Sequence, residues 1–95
     1  MNEFNARRQQ FRELHGSGCF VIPNAWDVGS AKLLAHIGFK ALATTSSGFA
    51  WANGRADSRV TLPLVLDHLR EICAAVTLRV NADFEGGFAI EIDGV

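Results

Sequence analysis

Cysteine, excess charge and long apolar runs are all scarce in this sequence. Its two cysteines, Cys19 and Cys73, lie far apart and form no Cys-x-x-Cys pair, which argues against a disulfide framework or a zinc site. Nine basic and ten acidic residues give a formal net charge of −1, so we expect no nucleic-acid partner. No apolar run approaches the roughly 20 residues that span a bilayer, and the N-terminus has no apolar signal-peptide core. These features predict a cytoplasmic protein that binds no membrane.

What the chain does contain is an ordinary globular composition. Hydrophobic residues make up 48% and charged residues 20% of the 95 positions, which argues against disorder. That length supports one small domain, taken here as residues 1–95. The densest basic cluster, formed by Arg7, Arg8 and Arg12, is interpreted as the solvated face of a first helix.

Hydrophobic periodicity and breaker residues predict alternating helices and strands. The clearest helix carries a broad apolar stripe that includes Cys73, and short apolar runs next to glycine or proline predict buried strands. The predicted elements are a helix over 2–15, a strand over 19–22, a helix from 24–27 to Gly38, a strand over 40–44, a helix over 62–76 and a strand over 78–82. Residues 90–95 alternate weakly and are interpreted as a short extension or as the start of a further element.

Helical crossovers between successive strands predict a parallel sheet. Active sites in parallel α/β folds collect at the carboxyl ends of the strands. The polar segments that follow strands, together with an exposed loop over 53–59, therefore carry the candidate functional residues.

Two carboxylates follow the third predicted strand. If the backbone stays extended there, Asp83 and Glu85 point to one face together with Asn81. Two carboxylates on one face repel each other unless a cation neutralises them, and magnesium usually uses one or two protein carboxylates plus waters. The spacing alone leaves open the alternative of an acidic surface loop.

A small-residue segment, Ser46-Ser47-Gly48, follows the second predicted strand. Its free backbone N–H groups could hold a carboxylate or phosphate, and an ordinary turn is the alternative. Two tryptophans, Trp26 and Trp51, lie in strand-end loops, where they could wall a pocket or cover the core. No cluster and no role are predicted for the three histidines, His15, His36 and His68.

Five features in a fixed order carry a family resemblance. They are the segments IPNAWD (22–27), GFKAL (38–42) and TTSSG (44–48), the residue Asp57, and the segment VNADFEGGF (80–88). Together they resemble the isocitrate lyase / phosphoenolpyruvate mutase family from about residue 11 to the end of the chain. The last segment, similar to the family's Asp-x-Glu-x-Gly-aromatic motif after strand three, is the most specific.

The resemblance implies a fold and a reaction. The fold is α/β, the N-terminal portion of a (β/α)8 TIM barrel with about three β/α units plus a leading helix, ending after strand three. The reaction makes or breaks a C–C or P–C bond next to a 2-oxo acid through an enolate, with Mg²⁺ as cofactor. The expected partners are a small 2-oxo acid, or a related carboxylate or phosphonate, and further copies of the chain in a homo-oligomer.

The resemblance also implies roles for individual residues. Asp83 and Glu85 would bind the metal, with Glu85 acting through a metal-bound water. Asp57 matches the family's mobile-loop aspartate and would be a catalytic residue that supports the metal's water shell or the gating loop. Ser47, Gly48 and Phe49, after the second strand, would hold the substrate carboxylate, and Trp26, after the first strand, would be a further substrate-binding residue.

Departures from the family pattern leave other functions open. Asn81 and Gly86 stand where the lyase branch more often has other residues, and the family's Lys-Lys-Cys-Gly-His loop does not occur in this sequence. We therefore expect little or no activity from the chain alone. One alternative is a truncated, non-catalytic remnant that associates with itself or with a larger barrel. Another is a small doubly wound α/β binding module without a metal site.

Overall fold

The computed structural model describes residues 2–94, which form four α-helices and a three-stranded parallel sheet. In chain order the elements are α1 (Glu3–Leu14), β1 (Asn24–Ala25), α2 (Val28–Ile37), β2 (Ala41–Thr44), α3 (Ser46–Ala52), α4 (Leu62–Ala75), β3 (Arg79–Asn81) and a 3₁₀ helix (Ile92–Gly94). The predicted α/β class is therefore confirmed, whereas barrel closure stays a prediction. None of the helices in this part of the chain is long and apolar enough to cross a membrane.

Side-chain caps fix where the first two helices begin. The Asn2 side chain accepts a hydrogen bond from the backbone N–H of Asn5 at 2.8 Å and starts α1. Asp27 and Ser30 cap each other at the start of α2, through Ser30 N to Asp27 Oδ1 at 2.7 Å and Asp27 N to Ser30 Oγ at 3.2 Å. Gly38 ends α2 with a φ of 112°, a left-handed conformation that glycine adopts without strain.

Helix α4 buries the stripe that its sequence predicts. Val65 and Ile72 face the core, and Pro63 sits in the first turn, where its missing N–H costs nothing. His68 lies on the same buried face, only 7% exposed. The stripe therefore contains an imidazole that sequence reasoning treated as having no role.

The sheet brings the carboxyl ends of its strands to one edge. Its order is β1-β2-β3, all parallel, with Ala25 opposite Thr44 and Ala43 opposite Asn81. The residues that follow each strand therefore emerge side by side.

Two apolar clusters support this edge. The first packs the sheet against α2 and α4, and its largest fully buried side chains are Leu42 and Ile72. The second lies between α3, α4 and the segment after β3, and it consists of Ala50, Val60 and Val65 with Phe49, Leu69, Phe84 and Phe88 packed against them.

The predicted strand over 19–22 is wrong. Val21 is 68% exposed, and the first strand pairs only at Asn24–Ala25. Pro23 explains the shift, because it has no N–H to donate to a neighbouring strand. Its carbonyl accepts a hydrogen bond from Ala43 N at 2.9 Å, and the paired residues of β1 follow directly after it. The sequence of a short apolar run does not by itself show whether the run pairs in a sheet.

Two other segments also differ from prediction. The polar segment after β2 forms helix α3, whose cap is Thr45, with Gly48 N donating to Thr45 Oγ1 at 3.2 Å. Trp51 therefore lies in a helix and not in a loop. The expected extension at the end of the chain is a single 3₁₀ turn over Ile92–Gly94, and Val95 lies outside the described residues.

Candidate active site

Asp83 joins the ends of the second and third strands. Its Oδ2 accepts hydrogen bonds from Ser46 N at 3.1 Å and Ser46 Oγ at 3.0 Å. Its own N–H donates to Thr44 Oγ1 at 2.9 Å. Two hydrogen bonds therefore hold Asp83 to the candidate substrate segment, and a third holds it to the end of β2.

Those hydrogen bonds also fix the charge of Asp83. The Ser46 N–H lowers the pKa of the carboxyl below its ordinary value of 3.8, against slight burial, and further hydrogen bonds from Glu85 N and Ser46 Oγ act in the same direction. Asp83 is therefore an ionised carboxylate at neutral pH. Its side chain remains exposed at the edge of the sheet.

Glu85 lies beside Asp83 because the backbone turns after β3, and not because the strand continues in an extended conformation. Its φ of 52° is left-handed, and its N–H donates to Asp83 Oδ1 at 3.2 Å. The predicted extended face of Asn81, Asp83 and Glu85 is therefore wrong, because β3 ends at Asn81. The two carboxylates nevertheless line one small cavity together.

Asp57 does not contact this carboxylate pair itself, but the next residue, Ser58, does. Its Oδ1 accepts from Ser58 N at 2.9 Å, and Ser58 Oγ donates to Glu85 Oε1 at 3.4 Å. Within residues 2–94, the hydrogen bonds of Asp57 include none to Asp83 or Glu85. The structure thus brings the loop to the site through Ser58, a residue that sequence reasoning did not select.

The candidate substrate residues surround the start of α3. Two of their N–H groups are already used, since Gly48 N donates to Thr45 Oγ1 at 3.2 Å and Phe49 N to Thr45 O at 3.0 Å. The Ser47 hydroxyl lies 3.3 Å from Thr45 Oγ1. Trp26 packs over Gly48 so closely that a Cβ there would lie 2.5 Å from the indole ring.

A cavity of about 10 Å³ lies beneath this site, lined by Asp83, Glu85, Phe49 and His68 among others. That size is close to the space that one water molecule needs. The His68 ring stacks on Phe49 with centroids 3.9 Å apart, and its Nε2 is buried with no hydrogen-bond partner among the described residues. His68 sits at helical spacing between Val65 and Ile72, and only that position on the buried stripe could have identified it from sequence.

We expect His68 to make the fold weaker in acid. Burial lowers the pKa of its imidazole below the ordinary value of 6.5, against the opposing charges of Glu71 and Asp27. The unfolded chain then binds the proton more readily, so the free energy of unfolding falls as the pH drops below 6.5. Urea unfolding at several pH values measures this fall, which His68→Leu should reduce and the exposed-site variant His36→Gln should retain. An equal pH dependence in all three proteins would contradict the assignment.

The acidic residues fit magnesium better than a closed metal site. No group of three or more His, Cys, Asp or Glu side chains that could hold a metal occurs within residues 2–94. A structural zinc site needs four such ligands. Magnesium keeps several waters and needs only one or two carboxylates, which the ionised Asp83 and neighbouring Glu85 can provide.

Comparison with known proteins gives relatives along most of the chain. The phosphoenolpyruvate phosphomutase family model matches residues 11–95. Uncharacterised proteins from two strains of Mycobacterium tuberculosis are each 36% identical over 86 residues, which cover 90% of this chain and 33% of theirs. The chain therefore spans about a third of the length of these curated relatives.

Three solved structures are similar to the whole described fold. A candidate lyase/mutase from Burkholderia cenocepacia superposes with a TM-score of 0.95 at 43% identity, covering 99% of this chain and 34% of that one. A candidate phosphonomutase from the same organism gives 0.87 at 35% identity, over 95% and 37% of the two chains. The 2,3-dimethylmalate lyase, a member of the PEP mutase/isocitrate lyase superfamily, gives 0.76 at 25% identity, over 94% and 32%.

These matches confirm the resemblance that the sequence motifs carry. The family model spans the candidate site from Trp26 to Glu85, and both Burkholderia structures exceed 30% identity across the fold. The chain belongs to the phosphoenolpyruvate phosphomutase family, within the PEP mutase/isocitrate lyase superfamily.

Proposed function

We propose that the protein makes or breaks a C–C or P–C bond next to a 2-oxo acid with Mg²⁺ as cofactor, and that this chain supplies the metal-facing part of the site. One observation carries the proposal. The ionised Asp83, at the carboxyl end of β3, accepts a hydrogen bond from Ser46, at the carboxyl end of β2. On this proposal residues 1–95 form the leading helix and first three β/α units of a (β/α)8 barrel.

Asp83 and Glu85 would hold the Mg²⁺. The bound ion would supply electrostatic stabilisation of the negative charge that develops on the substrate's 2-oxo oxygen. Asp83 suits a ligand position because its hydrogen bonds keep it ionised and fix its orientation. Glu85, held by Ser58, would act through a water, and Asp57 would steady the loop that carries Ser58.

The substrate carboxylate would meet the start of α3. Ser47 offers a hydroxyl there, while the N–H groups of Gly48 and Phe49 would have to exchange their bonds to Thr45 for bonds to the substrate. Trp26, 43% exposed and in edge contact with Trp51, would wall the pocket. A small 2-oxo acid, or a related carboxylate or phosphonate, fits these donors.

Binding without turnover is the result we expect from the purified chain. Pyruvate should bind more tightly with Mg²⁺ than with EDTA in calorimetry, because the carboxylate pair and α3 would act together. The family's proton-donating Lys-Lys-Cys-Gly-His loop does not occur in the sequence, so oxaloacetate, 2-methylisocitrate and phosphonopyruvate should be left unchanged. Detectable turnover would refute the expected inactivity, and equal pyruvate binding with and without Mg²⁺ would refute the proposed site.

Self-association is the second candidate role, and it rests on exposed apolar surface. Leu33 and Ile37, one turn apart on α2, are 60% and 62% exposed, and Val21 is 68% exposed. In the described sheet β1 and β3 each have one unpaired edge, which favours association. Size-exclusion chromatography with light scattering should therefore show a dimer or larger oligomer. A monomer at every concentration tested would contradict this role.

A further inference from the structure

A basic cleft lies at the opposite end of β3 from Asp83. Helix α1 packs across the start of β3 and the end of α4, and the cleft between them has a volume of about 320 Å³. Arg79, the first residue of β3, forms part of its wall. The cleft is lined mainly by four arginines and two phenylalanines: Arg7, Arg8, Arg12, Arg79, Phe4 and Phe11.

Arg7 has a structural role in this cleft. Its Nη1 donates to the carbonyls of Cys73 at 3.0 Å and Leu78 at 3.4 Å, and its Nη2 pairs with Glu3. These bonds fasten α1 to the rest of the fold and neutralise the charge of Arg7. The remaining three arginines are not needed for that attachment.

Those three arginines leave the cleft strongly positive. Arg8 bonds the neutral side chain of Asn5 at 2.7 Å, and Arg79 bonds the Lys40 carbonyl at 2.9 Å. Within residues 2–94, neither they nor Arg12 forms an ion pair with a carboxylate, and no acidic residue lines the cleft. Three uncompensated guanidinium groups at one concave surface favour an anion.

Arg79 also carries an unpaired donor. The Nε atom of Arg79 is buried and has no hydrogen-bond partner among the described residues. Leaving such a donor unpaired is unfavourable, because it has lost its water without gaining an acceptor. Because Nε is closed to solvent, a ligand oxygen would reach it only if the Arg79 side chain moves on binding.

We propose that this cleft binds a small polyanion that carries phosphate or carboxylate groups. Arg8, Arg12 and Arg79 would bind its charged groups, and Phe4 and Phe11 would contact an apolar part of the ligand. The volume lies at the small end of the range of about 300–1,000 Å³ for small-molecule sites, so the ligand is a small molecule. The site is separate from the carboxylate pair at the other end of β3 and does not depend on the proposed reaction.

Calorimetric titration in EDTA at low salt tests the cleft without any contribution from a metal. Pyrophosphate and citrate are the two probes, and phenyl phosphate compared with inorganic phosphate tests the aromatic wall. Saturable binding of pyrophosphate identifies phosphate chemistry, and binding of citrate identifies carboxylate chemistry. Either result supports the proposal, and no saturable binding of any probe overturns it.

Matched variants separate the cleft from simple net charge. Arg8→Gln/Arg12→Gln removes two exposed charges from the cleft and should weaken binding by about tenfold or more. Lys32→Gln/Arg55→Gln removes the same charge from exposed positions on α2 and in the loop after α3, outside the cleft, and should leave the affinity within about twofold of the parent. Equal weakening in both variants, or none in the first, would overturn the proposal, with circular dichroism confirming that each variant is folded.

Discussion

Replacing Asp83 with asparagine is expected to weaken Mg²⁺ binding by at least about tenfold, the loss that even outer-shell partners of a metal produce. Asparagine keeps an oxygen that can accept from Ser46 N and Oγ, so the tie between β2 and β3 can survive. What it loses is the negative charge that a hard cation prefers. Calorimetry, or Mn²⁺ titration followed by electron paramagnetic resonance, measures the difference.

Asp67→Asn is the matched control for that experiment. Asp67 is an exposed carboxylate on α4 whose described side-chain bond is to Arg70, so the same chemical change is made away from the site. Metal affinity should remain at the parent value. If Asp83→Asn also retained the parent affinity, the metal site would be wrong, and a binding module without a metal would become the better interpretation.

Local sequence signals predicted the parts of the fold that depend on local chemistry. The caps at Asp27 and Gly38 are set by hydrogen bonds and a left-handed residue inside a short segment, so the sequence alone reveals them. The stripe on α4 repeats over four turns, which makes its buried face readable. The first strand could not be located, because its pairing depends on Ala43, a residue distant in sequence.

The candidate site was predictable in position but not in geometry. Parallel strands put Asp83 and the segment after β2 at one edge whatever the details. The hydrogen bonds from Ser46 to Asp83 and from Ser58 to Glu85 are contacts between segments distant in sequence. No local pattern encodes such contacts.

Helix α3 and His68 show the same limit. Ser46-Ser47-Gly48 consists of poor helix formers, so propensity favoured a turn, while the Thr45 cap and the packing of Phe49 on His68 accompany a helix. No sequence pattern indicated a role for His68, because its ring stacks on Phe49, which lies on another helix. Tertiary contacts outweighed local preference at the place where the candidate substrate residues lie.

Gly48→Ala is the second change for which a large effect is expected. In most helices alanine is favoured over glycine by about 0.5–1 kcal/mol, so local preference predicts stabilisation. Here the added Cβ would lie 2.5 Å from Thr45 Cγ2 and 2.5 Å from the Trp26 ring, so one of these side chains must move. Overpacking of this kind costs about 1–3 kcal/mol, and we expect destabilisation of that size in urea unfolding.

Gly29→Ala provides the matched control, because Gly29 is also in the first turn of a helix. A Cβ there would lie 3.6 Å from Asp27 Oδ1, an ordinary contact, so the variant should be neutral or more stable by up to about 1 kcal/mol. In a double-mutant cycle, Trp26→Leu combined with Gly48→Ala should cost less than the sum of the two single changes, because the smaller side chain frees space for the methyl group. A Gly48→Ala protein as stable as Gly29→Ala would show that Trp26 does not hold α3 in place, and Trp26 would then lose its proposed place as the wall of the substrate pocket.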